Sequence, residues 1–372
     1  MRHITIGISS IAILLLITQV SFQMDWPSSP SAPSAISAVP SDSAPRNTLI
    51  GLHTRLTDEP DPAKIDRTFG MLRDMGATWV VEYFPWDHLQ PKGPDHYDWS
   101  HSDLVISEAR RHNLKLIARV DGVPAWARPP GTTAKYLGED RYVDFANFVA
   151  AFARRYQGSV AYIVLWNEPN LSFEWGFRPV EPEAYVRLLE AVHSAVKRTA
   201  PSAQLAFAGL APTLEPPGST VGLNDLIYFD RALKAGAAKF VDAFAAHSYG
   251  LNSAPEDPPA PDRINFRRVE LLYQLAEHHG AGDKPILITE GGWNDSKRWL
   301  YGVSPSQRIR FTIRAYAMAH ESWLWLKAMC LWVFRFYKPT YTYQDGYTFV
   351  DDDFTPKPIY DAVRAYSLGQ AP

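Results

Sequence analysis

The chain has 372 residues, 46% hydrophobic and 21% charged, an ordinary globular balance with enough apolar material for one large core. Its formal net charge is -3 and it carries no long basic block, so electrostatics give no argument for binding nucleic acid. Its one cysteine, Cys330, cannot form an internal disulfide or a multi-cysteine metal site, and the apolar run Met329-Cys330-Leu331-Trp332-Val333 marks it as a buried, inert thiol.

At the N-terminus, Arg2 and His3 precede an apolar stretch from Ile4 to Val20, the pattern of a secretory signal. Phe22, Gln23 and Met24 spoil a small-x-small cleavage site. Residues 1–22 therefore read as a signal peptide or an uncleaved signal anchor, although Ser9, Ser10, Thr18 and Gln19 make a poor span of ~20 residues. The expected location is extracellular, or at the outer face of the cytoplasmic membrane with residues 4–22 as tether. Residues 23–47 form a spacer: between Pro27 and Pro45 the chain is almost entirely Ser, Pro and Ala and cannot bury enough surface to offset its ordering entropy.

From Thr48 the texture changes, and residues 48–372 read as one domain. Short β-rich runs fall at residues 49–53, 78–84, 114–120, 160–166, 204–209, 241–247, 285–290 and 327–334. Stretches of helical period lie between them, at 63–75, 142–156, 184–198, 266–278 and 306–318, with a last one at 359–366. Strict alternation of this kind predicts an α/β fold, a parallel (β/α)8 barrel. An open doubly wound sheet is the alternative, but no Gly-rich phosphate loop follows an early strand.

A barrel places its active site just past the carboxyl ends of the strands. The polar residues ending these runs are His53, Arg119, Asn167 with Glu168, His247 and Glu290, groups costly to bury without partners or purpose. Glu168 follows the fourth run in Trp166-Asn167-Glu168-Pro169, and Glu290 ends the seventh in Thr289-Glu290-Gly291. The fourth and seventh strands face each other across a barrel mouth, so the two carboxylates can converge, and glycoside hydrolysis needs such a pair flanking the scissile bond. A separation of ~5–5.5 Å is expected for retention and ~6.5–9.5 Å for inversion.

These motifs resemble the clan A superfamily of retaining glycoside hydrolases, which includes cellulase-like and β-xylosidase-like families. The resemblance covers roughly Leu49 to Ser367. It implies that Glu168 is the acid/base, that Asn167 binds the sugar 2-hydroxyl, and that Glu290 is the nucleophile. It further implies that His247 and Tyr249 sit beside the nucleophile and that Trp332 floors a sugar subsite. Trp126, in Val123-Pro124-Ala125-Trp126, resembles a residue after the third strand that borders the substrate, and His53 is a further substrate-binding candidate. One departure stands out: the second strand, Trp79-Val80-Val81-Glu82-Tyr83, lacks the Arg that commonly meets the nucleophile. Arg119 is the candidate replacement cation, and Glu82 is either a third site carboxylate or a structural residue. The expected partner is a carbohydrate, with no cofactor and no metal, and the chain is expected to act as a monomer. Transglycosylation on the same barrel and a catalytically silent carbohydrate-binding barrel are the alternatives, and the sugar is left open.

Overall fold

The computed structural model describes residues 47–370, so the signal or anchor segment and all but the last residue of the spacer lie outside the described residues. Eight strands run β1 (Ile50–His53), β2 (Trp79–Pro85), β3 (Lys115–Asp121), β4 (Val160–Leu165), β5 (Leu205–Phe207), β6 (Ala243–Tyr249), β7 (Ile286–Gly292) and β8 (Leu326–Leu331). The helices are α1 (Pro62–Asp74), the short α2 (Trp86–Leu89), α3 (Ser100–Arg111), α4 (Tyr142–Arg155), α5 (Pro182–Thr199), α6 (Asp225–Lys234), α7 (Val269–His278), α8 (Pro305–Ser322) and α9 (Pro358–Ser367). The strands pair in parallel in chain order and close into a barrel, β1 meeting β8 through Ile50↔Met329, Gly51↔Cys330 and Leu52↔Leu331. The predicted (β/α)8 architecture is therefore the observed one.

Strand alternation divides the apolar residues between two layers. Trp79, Val81, Ile117, Val164, Leu287 and Cys330 fill the barrel interior with small Ala206, Ala243, Ala245 and Ala328. Val80, Phe84, Leu116, Ile163, Phe244 and Ile288 face outward, where the apolar stripes of the helices cover them. Gly51 is required at the seam, because a Cβ there would stand 2.6 Å from Cys330 Sγ and 2.8 Å from the Trp79 carbonyl oxygen. Cys330 is fully buried, and that burial pushes its thiol up, consistent with an unreactive role.

Two helices of the alternation, α3 and α6, were not delimited from the sequence. α6 carries a legible start, since the Asn224 side chain accepts from the Leu226 and Ile227 amides and the helix then buries Leu226, Phe229 and Leu233. α8 begins with a capping box between Ser304 and Gln307 and has Pro305 in its first turn. The barrel's packing also includes Asn47, which the sequence assigns to the spacer. Its amide donates to the Tyr316 carbonyl at 2.9 Å, and its side-chain oxygen accepts from the Leu49 amide at 3.0 Å.

Candidate active site

The strand ends bring most of the predicted residues to one point. On β6, His247 and Tyr249 continue the inward parity of Ala243 and Ala245. On β3, Arg119 and Asp121 continue that of Ile117. Past β4 the chain turns sharply: Trp166 has φ 84° and Glu168 φ 43°, left-handed values uncommon outside glycine. Residues held in such conformations cluster where a side chain must be aimed. The Glu168 amide donates to the Gly209 carbonyl at 3.0 Å, fixing the turn to the end of β5.

Glu168 and Glu290 are each 1% exposed. One oxygen of each carboxylate lies within 4.8 Å of the other and of a ring nitrogen of His247. His247 Nδ1 stands 2.8 Å from Glu168 Oε1 and 4.0 Å from Glu290 Oε2, while Glu168 Oε2 is buried without a hydrogen-bond partner. Arg119 NH1 donates to Glu290 Oε1 at 2.6 Å and to Asn167 Oδ1 at 2.9 Å. The Tyr249 hydroxyl donates to Glu290 Oε2 at 2.9 Å. Both oxygens of Glu290 are thus held by donors, and one oxygen of Glu168 is not.

Burial and neighbouring charges act on several of these groups. Burial pushes Glu168 up; the His247 contact opposes this, and the Glu290 charge adds to it. Burial alone would lower His247, but the carboxylates of Glu290 and Glu168 outweigh it and hold its proton more firmly than usual. His53 is driven well down by burial, with Arg119 and Arg55 acting in the same sense. It is therefore neutral, and because its Nδ1 meets the Thr54 carbonyl at 2.5 Å, that nitrogen carries the proton. Its Nε2 is left as an acceptor, 3.9 Å from Glu290 Oε1 and without a hydrogen-bond partner. Burial pushes Tyr249 well up, and the Glu290 charge adds to this, so it remains a donor.

Trp332 follows β8, joined to Val333 by a cis peptide. Its ring stands edge-on to His53, with centroids 4.8 Å apart, and the Arg55 guanidinium lies 5.8 Å from its centroid. Trp126 packs elsewhere, edge-on to Trp86 at 5.5 Å with its Nε1 donating to the Gln90 carbonyl at 2.8 Å. No contact joins it to the carboxylates among the described residues.

Glu82 is structural. It shares the outward parity of Val80 and Phe84, and its oxygens accept from Thr54 Oγ1 at 2.5 Å, Leu56 N at 3.0 Å, Thr57 Oγ1 at 3.2 Å and Tyr83 N at 3.0 Å. It pins the loop after β1.

Residues not singled out from the sequence complete the surroundings. Asp121 stands 3.8 Å from Arg119 Nε, accepts from Tyr83 OH at 2.8 Å, and pairs with Lys135 at 2.7 Å. Lys135 also meets Glu174 at 2.9 Å, tying the loop after β3 to the loop after β4. Burial alone would raise Asp121, but Lys135 and Arg119 reverse the sign and hold its carboxyl low. Gly209 backs the His247 ring so closely that a Cβ would lie 2.3 Å from Nε2 and 3.1 Å from Thr289 Oγ1.

Glu168, His247 and Glu290 are also spaced to ligate a metal ion. Arg119 and Tyr249 already occupy both oxygens of Glu290, so the charge there is balanced by the protein's own groups. A second such group, Asp66, Glu108 and His112, lies between α1 and the C-terminal end of α3, where Arg111 ion-pairs with both acids.

The barrel has close counterparts among solved structures. A family 39 glycoside hydrolase from the gut symbiont Bacteroides cellulosilyticus WH2 superposes with a TM-score of 0.68 at 22% identity, covering 87% of this chain and 64% of that one. A β-glycosidase named BGL167 matches with a TM-score of 0.62 at 14% identity, over 88% of this chain and 98% of that one. GH5_18 from Bifidobacterium longum subsp. longum ATCC 55813 matches with a TM-score of 0.62 at 14% identity, over 84% and 77%. The chain thus spans less than two thirds of the length of the family 39 protein. No protein-family model and no curated protein matches the sequence. At these identities the likeness is one of fold, the (β/α)8 barrel that the strand and helix alternation predicts.

Proposed function

We propose that this barrel is a retaining β-glycosidase in which Glu168 is the acid/base and Glu290 the nucleophile. The observation that carries the reading is the buried carboxylate pair, with oxygens within 4.8 Å of each other, on the scale of the ~5–5.5 Å retaining separation rather than the inverting one. The unequal surroundings support these roles. Arg119 and Tyr249 donate to both oxygens of Glu290 and hold it in place, while burial favours a protonated Glu168.

In the first step a Glu290 oxygen attacks the anomeric carbon. The bond to the leaving oxygen breaks, and the Glu168 proton moves onto that oxygen. Arg119 shifts its contact as the charge on Glu290 is spent in the ester. In the second step Glu168, now a carboxylate, takes a proton from water, whose oxygen attacks the same carbon and expels Glu290. Asn167 Oδ1 is occupied by Arg119, which leaves the amide NH2 to donate to a sugar hydroxyl. His53 Nε2 supplies an acceptor, and Trp332 a flat apolar face.

Azide rescue tests the assignment. Glu168→Ala should form the glycosyl-enzyme from a dinitrophenyl glycoside, which hardly needs the acid, and then stall; azide should release a glycosyl azide of retained configuration. Glu290→Ala with azide should give the inverted azide. Exchanged configurations would reverse the roles, and near-native turnover of an unactivated substrate by both variants would end the reading.

A further inference from the structure

Beyond Trp332 the barrel mouth carries an aromatic surface that the two-carboxylate reaction does not use. An apolar cluster built on Tyr249, Trp332 and Tyr347 is separate from the two barrel layers, and Tyr301, Phe336 and Tyr343 pack against it while remaining partly exposed. The Phe336 ring lies 6.0 Å from that of Trp332. Trp299 stacks on Tyr343, with centroids 4.1 Å and planes 12° apart, and Tyr301 stands edge-on to Trp299 at 5.5 Å. Further out, Tyr341 is 80% exposed.

Apart from Tyr249 on β6, these rings come from the loop after β7, residues 293–304, and the loop after β8, residues 332–357. The two loops are tied to each other: Asn294 Nδ2 donates to the Tyr343 carbonyl at 2.8 Å, and Arg298 NH1 to the Tyr341 carbonyl at 2.9 Å. Asp345 in turn accepts from the Thr340 amide at 2.8 Å and the Tyr341 amide at 2.9 Å. The rings are therefore held in place before any ligand arrives, the condition under which a flat surface binds without a large ordering cost. The Trp332 indole Nε1 also reaches Gln344 Oε1 at 3.4 Å, so the surface is continuous with the proposed sugar floor.

We propose that this aromatic wall is a sugar-binding surface for the glycone beyond the ring that reacts, so that the enzyme takes extended pyranose chains and cleaves within them. The inference rests on the glycosidase reading and deepens it. Its direction follows from the acid: Glu168, after β4, protonates the leaving oxygen, so the departing sugar lies on that side. The wall stands on the loops after β7 and β8, across the mouth, and faces the sugars that stay on the nucleophile's side. Pyranose rings offer C–H faces that pack on indole and phenol rings, and the Tyr hydroxyls and Gln344 provide polar edges for ring hydroxyls.

The test compares an aryl monoglycoside with oligosaccharides of increasing length from β-glucan, mannan and xylan. In the native enzyme kcat/KM should rise with chain length and the first products should be oligosaccharides. Trp299→Ala and the surface variant Tyr341→Ala should each lower the ratio of oligosaccharide to monoglycoside kcat/KM, by about tenfold for Trp299, with Trp299→Phe restoring most of it. An unchanged ratio, or release of monosaccharide alone from chain ends, overturns the inference while leaving the glycosidase reading intact. If the native enzyme cleaves none of these compounds, that reading is what fails. Electrophoresis of Glu168→Gln through gels containing the same polysaccharides then decides the surface separately: retardation abolished by Trp299→Ala supports it, and no retardation overturns it.

Discussion

Arg119 NH1 lies 2.6 Å from Glu290 Oε1 and 2.9 Å from Asn167 Oδ1, so one guanidinium on β3 orients both the proposed nucleophile and the amide beside the proposed acid. Asp121, two residues on, stands 3.8 Å from the same guanidinium and keeps it anchored. Arg119→Ala would leave Glu290 buried and without its cation. We expect kcat/KM to fall about 10²–10³-fold, the usual cost of losing one preorganised donor. Denaturant unfolding should show a loss of ~3–5 kcal/mol, the cost of breaking a buried pair from one side. Near-native values of both would remove Arg119 from the machinery.

The pH profile should report Glu168. The proposed acid works protonated, and burial raises its pKa, so kcat/KM should fall as pH climbs through that raised value. His247 opposes the shift through its hydrogen bond and charge. His247→Asn should therefore move the basic limb to higher pH, and dinitrophenyl substrates should show little of that limb. A limb that moves to lower pH in His247→Asn would contradict the assignment.

Gly209→Ala offers a probe that alters neither carboxylate. Its Cβ would stand 2.3 Å from His247 Nε2, so the ring must tilt away and stretch its 2.8 Å contact with Glu168. Turnover should drop by about 10²-fold, the scale attached to small misplacements of catalytic groups, and the basic limb should shift as in His247→Asn. Unaltered kinetics would mean that the His247 position is not under this constraint.

Trp332 and Trp86 should behave differently when truncated. Trp86 is fully buried among Phe145, Phe148 and Trp126, and Trp86→Ala should cost ~3–5 kcal/mol in thermal or chemical unfolding. Trp332→Ala should lose turnover strongly with a smaller change in thermal midpoint. If Trp332→Ala simply unfolds, the residue belongs to packing rather than to the sugar floor.

Asn47 is bonded into the barrel at both ends of its side-chain amide. A chain beginning at Asn47 should keep the side-chain bonds to the Tyr316 carbonyl and the Leu49 amide, whereas one beginning at Thr48 loses both. The thermal midpoint of the shorter chain should be lower, by the equivalent of ~1–3 kcal/mol for two buried hydrogen bonds. Equal midpoints would make Asn47 dispensable.

The barrel and its polar rim were legible because charges that end apolar runs stand out against their surroundings. His53, Arg119, Glu168, His247 and Glu290 all carried that signal, and the structure brings them together. Lys135 and Glu174 did not, because they sit on long loops where no periodicity locates a side chain. Glu82 required the strand's inward or outward parity, which only pairing with β1 and β3 establishes. Gly209 has no side chain to read, and its role is the absence of one beside His247. Trp126 and Trp332 look alike in sequence, since an indole suits packing and stacking equally; only the first sits against Trp86.

The seam between β1 and β8 carries a further implication. His53 and Trp332, 4.8 Å apart at their ring centroids, end the first strand and follow the last strand of the barrel. Glu290 is approached by groups from β1, β3 and β6, so its setting depends on strands drawn from most of the chain. A ribosome-bound or partly folded chain lacking β8 has the two glutamates but not the proposed sugar floor, and no closed wall to keep water from them. Competence should consequently emerge in one step, at the docking of the last strand on the first, rather than accumulate as successive β/α units fold.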